Sequence, residues 1–404
     1  MPLHARQQRG GFFMTDPIRL SLSRRHLMSA GAGAAIALSA GRAAAQQAEG
    51  QPLMGDPELP MRPGERMRWA IVGLGTYAVG QLLPSFGDAH RSRMTAFVSG
   101  NRDKAERLGR SYGVDRFYGY DNYDRIASDD EIDCVYIVLP VGLHAEYTIR
   151  ALEAGKHVLC EKPMASTSAE CERMIAAARA NGRQLGVAYR VHFEPNNLHA
   201  RQRIADDLGV IRHVSAEHGF DINPEFPPHK WRLERALAGG GSMYDIGIYG
   251  LNTSLMMLKE DPVSVSALYS TPAGDPRFSE VEGGLDWQLR MPSGISVSGT
   301  SSYCIAPYVS RQRYSGSKAA LEMQPATTYD DNRIRFLGEG QPPQEYAAGN
   351  AAAQFAAQLD GVSMAARSGT AHRTPGEMGL RDIRIIEAMY RSADADGAAI
   401  PVSV

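Results

Sequence analysis

The sequence predicts an α/β protein in two parts, a doubly wound parallel sheet followed by an α/β domain with an open, mainly antiparallel sheet. Three observations carry this. A strand-like apolar run at 68–72 leads into Gly73-Leu74-Gly75-Thr76-Tyr77-Ala78, a G-x-G-x-x-A loop that turns tightly out of a first strand into a helix. Through residue 190, apolar runs alternate with helical patterns, and Cys134-Val135-Tyr136-Ile137-Val138-Leu139 is apolar on both faces, as strands of a covered parallel sheet are. Beyond Arg190 the texture changes to longer alternating segments at 263–269, 284–291, 295–301 and 319–323, which read as antiparallel strands with one face open or covered by helices.

Taken in order, residues 1–45 carry Ser23-Arg24-Arg25-His26-Leu27-Met28, a weakly apolar run at 28–40 and a cleavage-type Ala43-Ala44-Ala45. That is the pattern of a twin-arginine signal peptide, whose pathway moves folded proteins, and it predicts a periplasmic location. The apolar run falls short of the roughly 20 residues that span a bilayer, so no membrane anchoring is expected once the signal is removed. Met14 offers a second possible start. Residues 46–66 hold Pro52, Pro57, Pro60 and Pro63 with few apolar residues, an extended segment that is either a disordered linker or an arm laid on another surface.

Taking 45 leader residues from the 404 leaves 359, enough for about two domains, at 67–190 and 191–404. In the first, strands are expected at 68–72, 95–99, 116–118, 134–139, 157–160 and 184–188, with helices at 103–112, 124–128, 145–154 and 168–180 between them. A last amphipathic pattern, 377–393, should form a helix that packs back on the first domain. Of the 43 basic and 45 acidic residues, six arginines and one aspartate lie in the leader; the remaining 37 and 44 give a net charge of −7, which argues against nucleic-acid or anionic-membrane binding. Cys134, Cys160, Cys171 and Cys304 show no metal-ligand spacing and are too few for a disulfide scaffold, so no metal is expected.

The glycine loop brings backbone N–H groups and a helix N-terminus to a pyrophosphate. In NAD-selective forms an acidic residue ends the second strand and binds the ribose hydroxyls; here Ser99-Gly100-Asn101-Arg102 stands there with Lys104 close behind, and hydroxyl, amide and cationic groups suit the 2′-phosphate of NADP. Lys162, in Glu161-Lys162-Pro163, follows the 157–160 strand at the carboxyl end of the sheet, where open α/β folds bind ligands. In the second half Gly239-Gly240-Gly241-Ser242, whose glycines would let a substrate approach the backbone closely, precedes Met243-Tyr244-Asp245-Ile246-Gly247-Ile248-Tyr249. On a helix Asp245 and Tyr249 share a face.

These motifs, with Tyr189-Arg190-Val191-His192-Phe193-Glu194-Pro195, Trp231-Arg232-Leu233 and Asp245-Ile246-Gly247-Ile248-Tyr249-Gly250, resemble the glucose-fructose oxidoreductase and inositol dehydrogenase family of sugar oxidoreductases, in particular its periplasmic glucose-fructose oxidoreductase branch. The similarity runs from about Arg68 to the C-terminus. It implies a Rossmann domain, a second domain whose open sheet makes homo-oligomer contacts, and tightly held NADP. It also implies a ping-pong cycle in which one sugar leaves as a lactone and a second, fructose or another aldose, leaves as an alditol. Lys162, Asp245 and Tyr249 would line the reaction site, Tyr249 exchanging a proton with the sugar oxygen, Lys162 stabilising the developing alkoxide and Asp245 orienting the pair. Gly73, Gly75, Thr76, Tyr77, Ser99, Asn101, Arg102 and Lys104 would bind the adenosine end. Leu139, Pro140, His144, Glu161, Lys162 and Arg190 would approach the nicotinamide half, with Trp231, Arg232 and Tyr329 adding contacts from the second domain. Relatives often carry Asn where Val141 stands.

Three functions compete: a sugar oxidoreductase that regenerates its own NADP, an NADP-dependent sugar or polyol dehydrogenase that releases it, and a sugar-responsive binding protein that kept the fold. An exported protein would find little free NADP, which favours the first. Segment 221–230 is expected near the substrate mouth.

Overall fold

The computed structural model describes residues 60–403; the leader and most of the arm lie outside them. Six strands, β1 (Met67–Val72), β2 (Ser92–Val98), β3 (Arg116–Tyr118), β4 (Cys134–Ile137), β5 (His157–Cys160) and β6 (Leu185–Val187), form a sheet ordered β3-β2-β1-β4-β5-β6. Every pair is parallel. This is the doubly wound order, whose switch point falls between β1 and β4, with Val72 opposite Ile137. The strands are apolar on both faces because both faces are covered: Trp69 to Val72 and Cys134 to Ile137 are fully buried. Asn101 caps the Arg102–Tyr112 helix by accepting from the Lys104 N–H (2.9 Å), and a Thr167–Glu170 capping box starts Ser168–Ala180. The expected helix at 124–128 is instead a 3₁₀ segment, Tyr123–Ser128, short enough to tuck Tyr123 and Ile126 into the core.

The second sheet has nine strands, adding β7 (Ile211–Asp221), β8 (Ser264–Tyr269), β9 (Gly284–Arg290), β10 (Ser296–Ser302), β11 (Cys304–Gly316), β12 (Ala319–Met323), β13 (Ile334–Gly338), β14 (Gln344–Tyr346) and β15 (Ile400–Pro401). Its order is β14-β13-β12-β11-β7-β10-β9-β8-β15, antiparallel except for the β7–β10 pair. Alternation along β9 buries Leu285, Trp287 and Leu289 and leaves Asp286, Gln288 and Arg290 exposed. The apolar face packs on the Pro195–Asp207 and Ile248–Leu258 helices; the other presents Glu217, Asp286, Arg311 and Arg313.

Two late helices return to the first sheet. Gly376–Asp394 runs beside Ser168–Ala180, where Glu387 accepts from the Ser168 N–H and hydroxyl, both at 2.8 Å. Ala353–Ser368, absent from the sequence reading, sits over the start of β2: Asp360 accepts from the His90 and Arg91 amides and the Ser92 hydroxyl, while Ser363 accepts from the Trp69 indole (3.1 Å). Between these helices Thr374 pairs with Val187 through both backbone directions, its O accepting at 2.8 Å and its hydroxyl donating at 2.7 Å. Among the described residues no helix is long and apolar enough to cross a membrane.

Candidate active site

Gly73 ends β1 at φ +95°, and a Cβ there would stand 2.3 Å from the Val138 carbonyl oxygen, so only glycine passes. Gly75 and Thr76 are exposed, and the Cβ position of Gly75 faces open space. Among the described residues nothing requires glycine at 75, whereas a pyrophosphate drawn close to the backbone would. At the end of β2, Asn101 N–H donates to Ser99 Oγ (3.1 Å) and the Lys104 ammonium donates to the Leu74 carbonyl of the glycine loop. Arg102 pairs with Glu106 and lies over the Phe117 ring at 5.0 Å. No carboxylate occupies 99–102. These residues and the glycine loop therefore form one neighbourhood, and its donor set fits a phosphorylated dinucleotide.

A second neighbourhood gathers at the carboxyl ends of β4, β5 and β6. His144, buried, bridges the Leu139 and Pro163 carbonyls at 2.8 Å each and ties the β4 end, with Pro140 and the buried Val141, to the lysine turn. Glu161 is half-buried and accepts from the Tyr136 hydroxyl (2.6 Å) and the Lys162 N–H (3.2 Å). Burial pushes its carboxyl up, against the pull of Tyr136 and of the Lys162 charge. Lys162 Nζ donates to the Asp245 carbonyl at 2.5 Å, stands 3.5 Å from Asp245 Oδ1, and lies 4.6 Å from the centre of the Tyr249 ring.

Asp245 stands in a π-helical turn, Met243–Gly247, that runs into the Ile248–Leu258 helix carrying Tyr249; the expected regular helix starts one turn later than its pattern implies. The triple glycine serves the protein itself. A Cβ on Gly241 would lie 1.9 Å from the Glu282 carbonyl oxygen, and the buried Glu282 carboxylate takes the N–H groups of Gly241 (2.8 Å) and Met243 (2.9 Å). A carboxylate at the first turn complements the helix end and fixes where Asp245 emerges.

Asp245 Oδ2 accepts from Arg232 Nε (2.9 Å) and from the Tyr303 hydroxyl (3.0 Å). Burial opposes its ionisation, but the Arg232 and Lys162 charges and the two hydrogen bonds outweigh it and hold the carboxyl down to about 2. The ion pairs of a group so lowered stabilise the fold above its unfolded value near 4 and are lost as pH falls through about 2. Tyr303→Phe removes one donor, so that acid loss should begin at higher pH; at neutral pH it should cost about 1.5–3 kcal/mol in denaturant unfolding. An unchanged acid limb would remove Tyr303 from the carboxylate's support.

Arg190 is buried. It donates to the Thr327 (2.6 Å) and Thr328 (3.1 Å) carbonyls and to Gln354 (2.7 Å), and its guanidinium lies over the Tyr249 (4.8 Å) and Tyr329 (4.7 Å) rings. Tyr77, half-buried in the glycine loop, packs on Tyr329 at 6.0 Å and Phe355 at 6.1 Å, which links the two neighbourhoods. A small cavity is lined by Val141, Lys162, Trp231, Arg232, Asp245 and Tyr303. A larger cavity, about 410 Å³ around Tyr308, Gln324, Arg333 and Glu345, shares no residue with this cluster, so chemistry rather than size marks the site. Segment 221–230 ends in a short helix, Pro227–Lys230, that leads directly into Trp231 and Arg232.

The structure thus gathers Lys162, Asp245, Tyr249, Glu161, Arg190, Arg232, Tyr77 and Tyr329, and keeps Ser99, Asn101 and Arg102 at the other end of the loop. The sequence reading missed Tyr303, Glu282, His218 and Gln354. His218, buried, stacks on Tyr249 (6.5 Å, 27°) with Nε2 at 3.2 Å from Thr327 Oγ1; burial, helped by Arg190, pushes its imidazole down to about 3, so it stays neutral. Of these only Gln354 left a signal, one of two glutamines four apart in an otherwise apolar segment.

Residues 67–189 match the model of an oxidoreductase family with an NAD-binding Rossmann fold, and residues 197–339 match the GFO/IDH/MocA C-terminal domain. A D-xylose 1-dehydrogenase [NADP(+)] of Haloarcula marismortui is 30% identical over 82% of this chain and 92% of its own. Among solved structures, an aldose-aldose oxidoreductase from Caulobacter crescentus, complexed with glycerol, is 42% identical with a TM-score of 0.79, covering 83% of this chain and all of the other. KijD10, a 3-ketoreductase from Actinomadura kijaniata in complex with NADP and TDP-benzene, is 25% identical with a TM-score of 0.72, covering 81% of this chain and 98% of the other. The glycine loop on a parallel sheet, the second domain on its open mixed sheet and these matches place the chain in the GFO/IDH/MocA family of oxidoreductases.

Proposed function

We propose that this chain is a sugar oxidoreductase that keeps NADP(H) bound and uses it twice, oxidising an aldose to its lactone and reducing a second sugar to an alditol. The observation that carries the reading is Lys162, Asp245 and Tyr249 meeting at the carboxyl end of β5, beside a glycine loop on β1. The 42% identical relative, an aldose-aldose oxidoreductase, supports aldoses on both sides of the exchange rather than fructose as acceptor.

Gly73 to Ala78 would hold the pyrophosphate, Ser99, Asn101, Arg102 and Lys104 the 2′-phosphate end, and Leu139, Pro140, His144 and Glu161 the nicotinamide half; the cofactor when bound supplies the hydride acceptor and donor. Tyr249 takes the C1 hydroxyl proton in oxidation and returns a proton in reduction. Lys162, fixed by both the carbonyl and the carboxylate of Asp245, stabilises the oxygen that carries charge between those states. Asp245 stays ionised throughout, because its carboxyl is held near 2. Trp231 and Arg232 line the same pocket as Lys162 and Asp245. The twin-arginine pattern of residues 1–45 supports a periplasmic location, where an enzyme would need to retain its cofactor. The exposed polar face of the second sheet is the surface we assign to homo-oligomer contacts.

The purified protein, extracted with acid, should yield NADP(H) rather than NAD(H). An aldose alone, without added cofactor, should raise the absorbance of reduced nicotinamide once, and a second sugar should return it while lactone and alditol accumulate. The NADP-dependent xylose dehydrogenase among the relatives favours a second reading, turnover with exchangeable NADP. Empty protein that works only with added NADP would replace the first reading by this one.

A further inference from the structure

Arg190 is 3% exposed, yet among the described residues no carboxylate pairs with it. Three of its contacts are neutral carbonyl oxygens and its Nε has no partner. Taking a guanidinium out of water is costly unless a negative group compensates. The Arg190 guanidinium lies instead over tyrosine rings, Tyr329 at 4.7 Å and Tyr249 at 4.8 Å. Tyr249 is also the ring over which Lys162 lies, so two cations stand 4.6 and 4.8 Å from its centre. With Arg232 the cluster holds three fixed cations against the Asp245 carboxylate and the half-buried Glu161. That excess of positive charge is gathered around the oxygen that trades a proton with the sugar.

We propose that Arg190 is a second electrostatic partner of Tyr249, stabilising the negative charge shared by the phenol oxygen and the sugar oxygen while hydride moves. This rests on the sugar oxidoreductase reading above. In the oxidative half, the C1–H bond would break with its electron pair passing as hydride to bound NADP, the C1 hydroxyl proton would pass to the phenolate oxygen that Tyr249 is left with after giving its proton in the reductive half, and the O–H electron pair would become the second C–O bond of the lactone. Negative charge lies on the two oxygens at mid-transfer, and a buried cation with no carboxylate of its own acts on it undiminished. Lys162 is partly spent on Asp245, whereas Arg190 spends itself only on dipoles.

The test is a single-turnover reduction of the protein's own bound NADP by a saturating aldose, in wild type, Arg190→Gln and Arg190→Lys. Glutamine keeps a donor for the Thr327 and Thr328 carbonyls and removes the charge. Arg190→Gln should slow the turnover by about 100-fold with nucleotide content, melting temperature and half-saturating aldose near wild type, and Arg190→Lys should regain at least about tenfold of it. A loss under about threefold, a loss confined to half-saturation, or a lysine variant no faster than the glutamine one overturns the proposal. Arg190→Gln purified without nucleotide overturns it as well, because it would place the residue wholly on the cofactor side. If wild type itself carries no nucleotide that an aldose reduces, the functional reading fails instead, and the two failures are told apart in the first sample.

Discussion

Tyr249→Phe should leave a folded, NADP-loaded protein whose single-turnover rate with an aldose has fallen by about 10²–10⁴-fold. The substitution removes one oxygen and keeps the ring, so the Lys162, Arg190 and His218 contacts at 4.6, 4.8 and 6.5 Å survive and the pocket keeps its shape. What is lost is the group that trades a proton with the sugar. Because the same proton is taken in one half-reaction and returned in the other, the two rates, measured separately with aldose on the oxidised form and acceptor sugar on the reduced form, should fall together. Half-saturating sugar should barely move, since uniform binding is untouched. A variant within tenfold of wild type in either direction would remove Tyr249 from the chemistry and leave the pocket a binding site.

Lys162→Met should be as damaging to rate, about 10²–10³-fold, for a different reason, and it should also change how the protein meets acid. Methionine fills the space of the lysine stem but ends Nζ donation to Asp245 and the charge over Tyr249. Asp245 then leans on Arg232 and Tyr303 alone. Its carboxyl must rise from about 2, so the stability its ion pairs contribute, present above the unfolded value, will begin to fail at higher pH as the solution is acidified. Acid unfolding followed by circular dichroism reads that shift independently of turnover. The double variant with Tyr249→Phe should cost little more than the worse single one, because the two groups act on one oxygen. Additive losses would mean separate roles.

The parallel sheet was legible because its strands are buried on both faces and announce themselves as unbroken apolar runs; 157–160 and the helix 168–180 have the bounds read from sequence. The start of β2 was not, since Ser92 and Thr95 are polar yet buried, their hydroxyls satisfied by Asp360, Ser363 and the Glu131 carbonyl. The Ala353–Ser368 helix escaped for a related reason. Gln354 and Gln358 face inward, to Arg190 and Tyr136, and blur the apolar stripe a periodicity reading needs. The parallel β7–β10 pair depends on pairing at long separation, which no local pattern encodes. At the site, Lys162, Asp245 and Tyr249 were readable from motif and position. Tyr303 was not: it lies where β10 hands over to β11, and only the fold brings its hydroxyl to Asp245.

The return of Ala353–Ser368 and of Thr374 to the first sheet bears on how such proteins can be recombined. Cut at residue 190, the nucleotide-binding half would lose the acceptor for three groups at the start of β2, the cover over Trp69 and the pairing along β6. It would also leave Tyr136 without Gln358 and Arg190 without Gln354. A chimera that swaps the first half between two relatives therefore inherits a mismatched seam along the sheet. A graft meant to change the nucleotide and keep the sugar would have to carry residues 350–375 with it, as one physical unit written in two places along the chain.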